Sequence, residues 1–61
     1  MKYYVFATGV NKEGNQVMAS AFMTEEGPVD ENLINEWQKR FRTWNDHWDI
    51  AMIQNWKKVK D

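Results

Sequence analysis

The chain is predicted to be an α+β domain of β-β-α-β order, with a three-stranded, mainly antiparallel sheet in the order 2-1-3 and one helix packed on one face. Three observations carry this. Two runs rich in aromatic and β-branched residues flank a glycine-bearing turn, one segment has helical apolar spacing, and a short apolar run follows a helix-breaking stretch. Sixty-one residues leave room for a single domain, 1–61.

The strands are expected over about 2–10 and 16–23, joined by Asn11-Lys12-Glu13-Gly14-Asn15. Gly14 suits the left-handed position that closes a three-residue hairpin loop, which sets Asn11 opposite Asn15. Paired residue numbers then sum to 26. Strand side chains alternate between faces, so Tyr3, Val5, Ala7, Gly9, Val17, Ala19, Ala21 and Met23 share one side. Tyr4, Phe6, Thr8, Val10, Gln16, Met18, Ser20 and Phe22 share the other.

Gly27 and Pro28 end the second strand. A helix is expected over about 31–44, with Asp30 as its N-cap and Glu31 placing negative charge in the first turn. Leu33, Ile34, Trp37, Phe41 and Trp44 fall within one 100° stripe at 100° per residue. Lys39, Arg40 and Arg42 fall outside it and read as a solvated face, with Glu36 and Arg40 spaced for an i,i+4 pair. Asn45-Asp46-His47 should stop the helix. Residues 49–57 then read as a third strand; a helix continuing toward Val59 would leave Ile50 and Ile53 on its polar side.

The crossover rule sets the third strand parallel to the second and beside the first. Trp37, Phe41 and Trp44 should cover the face bearing small residues, Ala7, Gly9, Ala19 and Ala21. The opposite face, Tyr4, Phe6, Met18 and Phe22 with alternate residues of the third strand, has no element left to cover it. An exposed apolar patch of that kind marks an interface. Trp48 and Trp56, outside the helix stripe, are read as interface residues too, since tryptophan is enriched at binding hot spots. The second strand is also an edge without proline or inward charge, able to pair across a two-fold axis.

A small core, no cysteine for disulfides and a single histidine, His47, as soft metal ligand leave association as the expected source of added stability. A homodimer is therefore expected. No metal, cofactor or membrane association is foreseen, and the absence of an apolar run long enough to span a bilayer or of a signal-peptide pattern suggests a cytoplasmic protein. Glu25-Glu26 and Asp30-Glu31 read as solvated or capping acids rather than a catalytic pair. Asp46, His47 and Asp49 lack an accompanying nucleophile, and the scattered glycines form no phosphate loop. No enzyme is expected. A rival reading is single-stranded nucleic-acid binding through Tyr4, Phe6 and Phe22 beside Lys2, Lys57, Lys58 and Lys60, against which stands the formal net charge of −1.

The order of parts carries one further indication. A Met-Lys-Tyr-Tyr-Val strand at residues 1–5, a glycine-turn hairpin, one helix and a final strand, residues 50–59, reading Ile-Ala-Met-Ile-Gln-Asn-Trp-Lys-Lys-Val, resemble the very small accessory proteins encoded by phages and prophages of Gram-positive bacteria. Where such proteins have known roles, many bind and block a host enzyme or a defence system. The resemblance implies an inhibitor of that kind and assigns no functional residue.

Overall fold

A computed structural model of the chain describes residues 1–60. Strand β1 runs Lys2–Asn11, β2 Gln16–Thr24, helix α1 Glu31–Trp44 and β3 Trp48–Val59. The sheet order is β2-β1-β3, with β1 antiparallel to both neighbours. This is the β-β-α-β arrangement expected, with the strands one to two residues longer at several ends.

The hairpin register follows from its turn. Gly14 takes a φ of 85°, a conformation that side-chain-bearing residues rarely adopt. Its N–H donates to the Asn11 carbonyl at 2.9 Å, and the Asn11 N–H donates to the Asn15 carbonyl at 2.9 Å. The Asn11 side chain braces the loop by accepting from the N–H groups of Glu13 and Asn15. Every β1–β2 pair from Lys2↔Thr24 to Val10↔Gln16 then sums to 26.

Helix α1 starts where the Asp30 carboxylate accepts the Leu33 N–H at 2.8 Å. It stops at Asn45, whose backbone N–H and side-chain amide both donate to the Phe41 carbonyl. The Trp48 N–H then donates to the Asn45 carbonyl at 2.8 Å. That tight turn redirects the chain into β3, so residues 48–59 form a strand rather than extending the helix. β3 begins at Trp48, one residue before the expected start. It carries irregularities opposite Phe6/Ala7 and Val10/Asn11, where one extra residue on β3 locally bends the strand.

The core lies between helix and sheet. Tyr3, Val5, Ala7, Met23, Trp37, Phe41, Trp48 and Ala51 are buried, with Val17, Ala19, Ala21, Val29, Leu33 and Ile53 packed around them. At roughly 1.5–3 kcal/mol per large apolar side chain withdrawn from water, Trp37, Phe41 and Val5, all essentially inaccessible, are the chief contributors. The small residues of the sheet do what their volumes predict and let the helix aromatics approach.

Two tryptophans exchange the roles expected of them. Trp44 is 56% exposed and lies edge-on against Phe41, whereas Trp48 is 5% exposed and stacks on Phe41 with ring planes 10° apart. The reason is steric. The chain turns back directly after the helix, so Trp48 enters over Gly9 and fills the end of the core that Trp44 would otherwise occupy. An ideal Cβ built on Gly9 would lie 2.8 Å from the Trp48 ring and 2.1 Å from the Ile50 carbonyl oxygen. Glycine at position 9 makes this close approach possible.

Glu25 also departs from the solvated acid expected. Its side chain is only 10% exposed, because the carboxylate accepts from Arg40 Nη1 at 3.0 Å and from the Trp37 indole N–H at 3.4 Å. Arg40 approaches Glu36 only at 4.0 Å. The Arg40 guanidinium thus ties the helix to the end of β2 instead of merely solvating its outer face.

Candidate functional site

The face of the sheet opposite α1 carries six large apolar side chains, Tyr4, Phe6, Met18, Phe22, Ile50 and Met52, with exposures between 37% and 67%. Their common side follows from the register: Tyr4 opposes Phe22, Thr8 opposes both Met18 and Met52, and Val10 opposes Ile50. Residues opposite each other point to the same face. The Tyr4 and Phe22 rings meet at 5.0 Å between centroids with planes tilted by 53°, an arrangement favourable to aromatic pairs.

Polar groups punctuate this face. The Tyr4 and Ser20 hydroxyls are 2.6 Å apart, and the Gln54 amide donates to the Thr8 hydroxyl at 2.8 Å. Both contacts link side chains of neighbouring strands, Tyr4 on β1 with Ser20 on β2 and Thr8 on β1 with Gln54 on β3. The result is a pre-organised surface of apolar rings and thioethers with hydroxyl and amide groups between them, which resembles the composition of protein-binding patches.

Tyr4, Phe6, Met18 and Phe22 therefore stand where the strand alternation set them. Ile50 and Met52 join them, and their signal was the same alternation carried into the third strand. Trp48 is brought elsewhere, into the core. Trp56 is 40% exposed but sits opposite Val5, on the helix-covered side, edge-on to Trp37 at 6.2 Å. Neither tryptophan belongs to the open face. Plain alternation from Ile50 and Met52 would set both even-numbered tryptophans on the open face, but the extra residue at each irregularity of β3 reverses the parity and turns them to the helix side.

The lysines divide as well. Lys2 places Nζ 5.1 Å from the Phe22 ring centroid, within cation–π range, and Lys57 opposes Tyr4 on the open face. Lys58 opposes the buried Tyr3 and so belongs to the other side, while Lys60 lies past the end of β3. One end of the open face thus combines Tyr4 and Phe22 with two cations.

His47 is largely exposed, with Nδ1 3.9 Å from Asp46 Oδ1. Its backbone carbonyl accepts the Lys12 N–H at 2.8 Å, tying the hairpin loop to the start of β3. Among the described residues no three His, Cys, Asp or Glu side chains converge as metal ligands, and no helix is long and apolar enough to cross a membrane. No family model matches this chain, and neither a curated protein nor a solved structure matches it.

Proposed function

We propose that the protein is a cytosolic, non-enzymatic binding module that works as a homodimer and engages another protein through the open face of its sheet. The observation that carries this reading is the concentration of Tyr4, Phe6, Met18, Phe22, Ile50 and Met52 on a face that no element among the described residues covers. A small domain gains nothing in its own core from exposing six such side chains, whereas a partner would desolvate them together. The phage-like order of parts extends the proposal to its biological sense: an inhibitor that occupies the surface of a host enzyme or anti-phage defence protein.

The test is affinity capture from a phage-susceptible host with wild-type protein, Phe6→Asp and the control Arg42→Glu on the helix. One host protein retained by wild type and Arg42→Glu but lost with Phe6→Asp is the expected result. Capture indifferent to Phe6→Asp, with the variant folded, refutes the assignment of the face.

A second reading is supported by Lys2 over Phe22 and Lys57 opposite Tyr4: single-stranded nucleic acid stacking on the aromatic end of the face. It requires an affinity for labelled oligonucleotides that falls steeply with salt. No binding at low salt would dismiss it.

A further inference from the structure

The two edges of the sheet differ in a way that bears on how copies of the chain meet. On β2 the free backbone groups can be identified from the ladder. Met1 and Glu25 exchange both N–H···O=C bonds, and Asn11 donates to Asn15. Odd-numbered pairs are therefore the hydrogen-bonded ones, and the alternation of an antiparallel ladder turns the N–H and C=O groups of Gln16, Met18, Ser20, Phe22 and Thr24 outward. Among the described residues, no side chain or loop takes any of those five N–H groups. β2 is also regular along its length and carries no charge and no proline.

β3 is the opposite case. The same ladder turns the N–H groups of Ala51, Ile53, Trp56 and Lys58 outward, and two of these four are already bonded by side chains: Ile53 to Gln38 Oε1 at 3.3 Å and Trp56 to Asn55 Oδ1 at 2.9 Å. Two register irregularities interrupt this strand, it carries Asp49, Lys57 and Lys58, and the helix lies chiefly against it. These are the devices by which proteins block edge-to-edge pairing. One edge of this sheet has several of them and the other has none.

We propose that two copies join along β2, antiparallel and in register about Ser20, to form one six-stranded sheet. A two-fold axis through Ser20 places Ser20 opposite the partner's Ser20, Met18 opposite the partner's Phe22 and Gln16 opposite the partner's Thr24. All five outward residues then lie in hydrogen-bonded pairs, which exchange about ten backbone bonds at two per pair. Any shift along the strand loses pairs. On the helix side Val17 meets the partner's Met23, and Ala19 meets the partner's Ala21, so no charges face each other anywhere in the contact. A second copy is the occupant that matches this edge in length, neutrality and side-chain pairing.

Both helices then lie on one side, and both open faces merge into a continuous surface on the other. Dimerisation through the edge leaves Tyr4, Phe6, Ile50 and Met52 free. Only the use of that enlarged face for a protein target rests on the function proposed above.

The cysteine-free chain permits a direct test with single cysteines oxidised by glutathione disulfide. Opposed Cα atoms in a hydrogen-bonded pair lie about 5.5 Å apart, within disulfide reach. Ser20→Cys should therefore yield a covalent dimer of two 7.3 kDa chains. Met18→Cys alone should not, since its own copy lies four residues along the strand, about 13 Å away; mixed with Phe22→Cys it should. Ser20→Pro removes an N–H that serves only the free edge, and it should sediment as a monomer with its circular dichroism retained.

A dimer that cross-links through Phe6→Cys but not Ser20→Cys would overturn the proposal in favour of stacked faces. A wild-type chain monomeric into the high micromolar range would overturn it outright. In the latter case the homodimer of the proposed function falls with it, while loss of host-protein capture by Phe6→Asp would still stand for the open face, so the edge and the face fail separately.

Discussion

Replacing Gly9 by alanine tests the packing that determines where Trp48 and β3 lie. The added Cβ would meet the Ile50 carbonyl oxygen at 2.1 Å and the Trp48 ring at 2.8 Å, where ordinary contact begins at 3.4 Å. The nearer atom is backbone, held by pairing of Val10 with Ile50 and Gly9 with Ala51. It cannot turn away as a flexible side chain would. Overpacking of this sort costs typically about 1–3 kcal/mol, and the upper part of that range applies where a strand must move. Against it, alanine restricts the unfolded chain and returns about 0.4–1 kcal/mol. The expected net loss is about 2 kcal/mol. At roughly 0.05–0.15 kcal/mol per residue, the whole domain of 61 residues has only about 3–9 kcal/mol, so this loss is a large fraction. With about 4–8 °C per kcal/mol for a domain of this size, Tm should fall by about 8–16 °C. The assay is thermal and urea unfolding followed by tryptophan fluorescence at one protein concentration, because self-association would otherwise shift the midpoint. Gly27→Ala is the internal control: a Cβ there meets nothing within 4 Å, and stability should be unchanged or slightly raised. A Gly9→Ala chain within about 0.5 kcal/mol of wild type would refute the claim that close approach of β3 and Trp48 requires glycine.

The remaining expectations concern the helix and its two ends. Trp48→Ala should cost about 3–5 kcal/mol and leave little folded protein at ambient temperature, whereas Trp44→Ala, at an exposed ring, should cost less than about 1 kcal/mol; the same urea titration measures both, and equal losses would contradict their unequal burial. Asp30→Ala should cost about 1 kcal/mol, read by the same unfolding curves, with Asp30→Asn recovering most of it by restoring the acceptor for the Leu33 N–H.

The amino-acid sequence by itself determined the element order, the hairpin register and the helix limits, because each depends on neighbours in the chain. Gly14 specifies the turn, the turn specifies the pairing, and Asp30 and Asn45 mark where the helix can begin and end. Strand alternation likewise assigned Tyr4, Phe6, Met18 and Phe22 to one face. Only the tertiary structure decided which tryptophan fills the core, since Trp44 and Trp48 are both apolar and three intervening residues separate them; the choice depends on how sharply Asn45 returns the chain over Gly9. The same holds for Glu25, whose burial requires Arg40 and Trp37 to arrive from the helix, and for Trp56, whose side depends on pairing with Val5. The contrast between the edges is also tertiary. β2 reads as an open edge from its neutral residues alone, but the closure of β3 needs Gln38 to reach across from the helix to the Ile53 N–H. Local rules act through chain neighbours and torsion angles, whereas cores and edges are decided by which distant groups compete for the same space and the same hydrogen bonds.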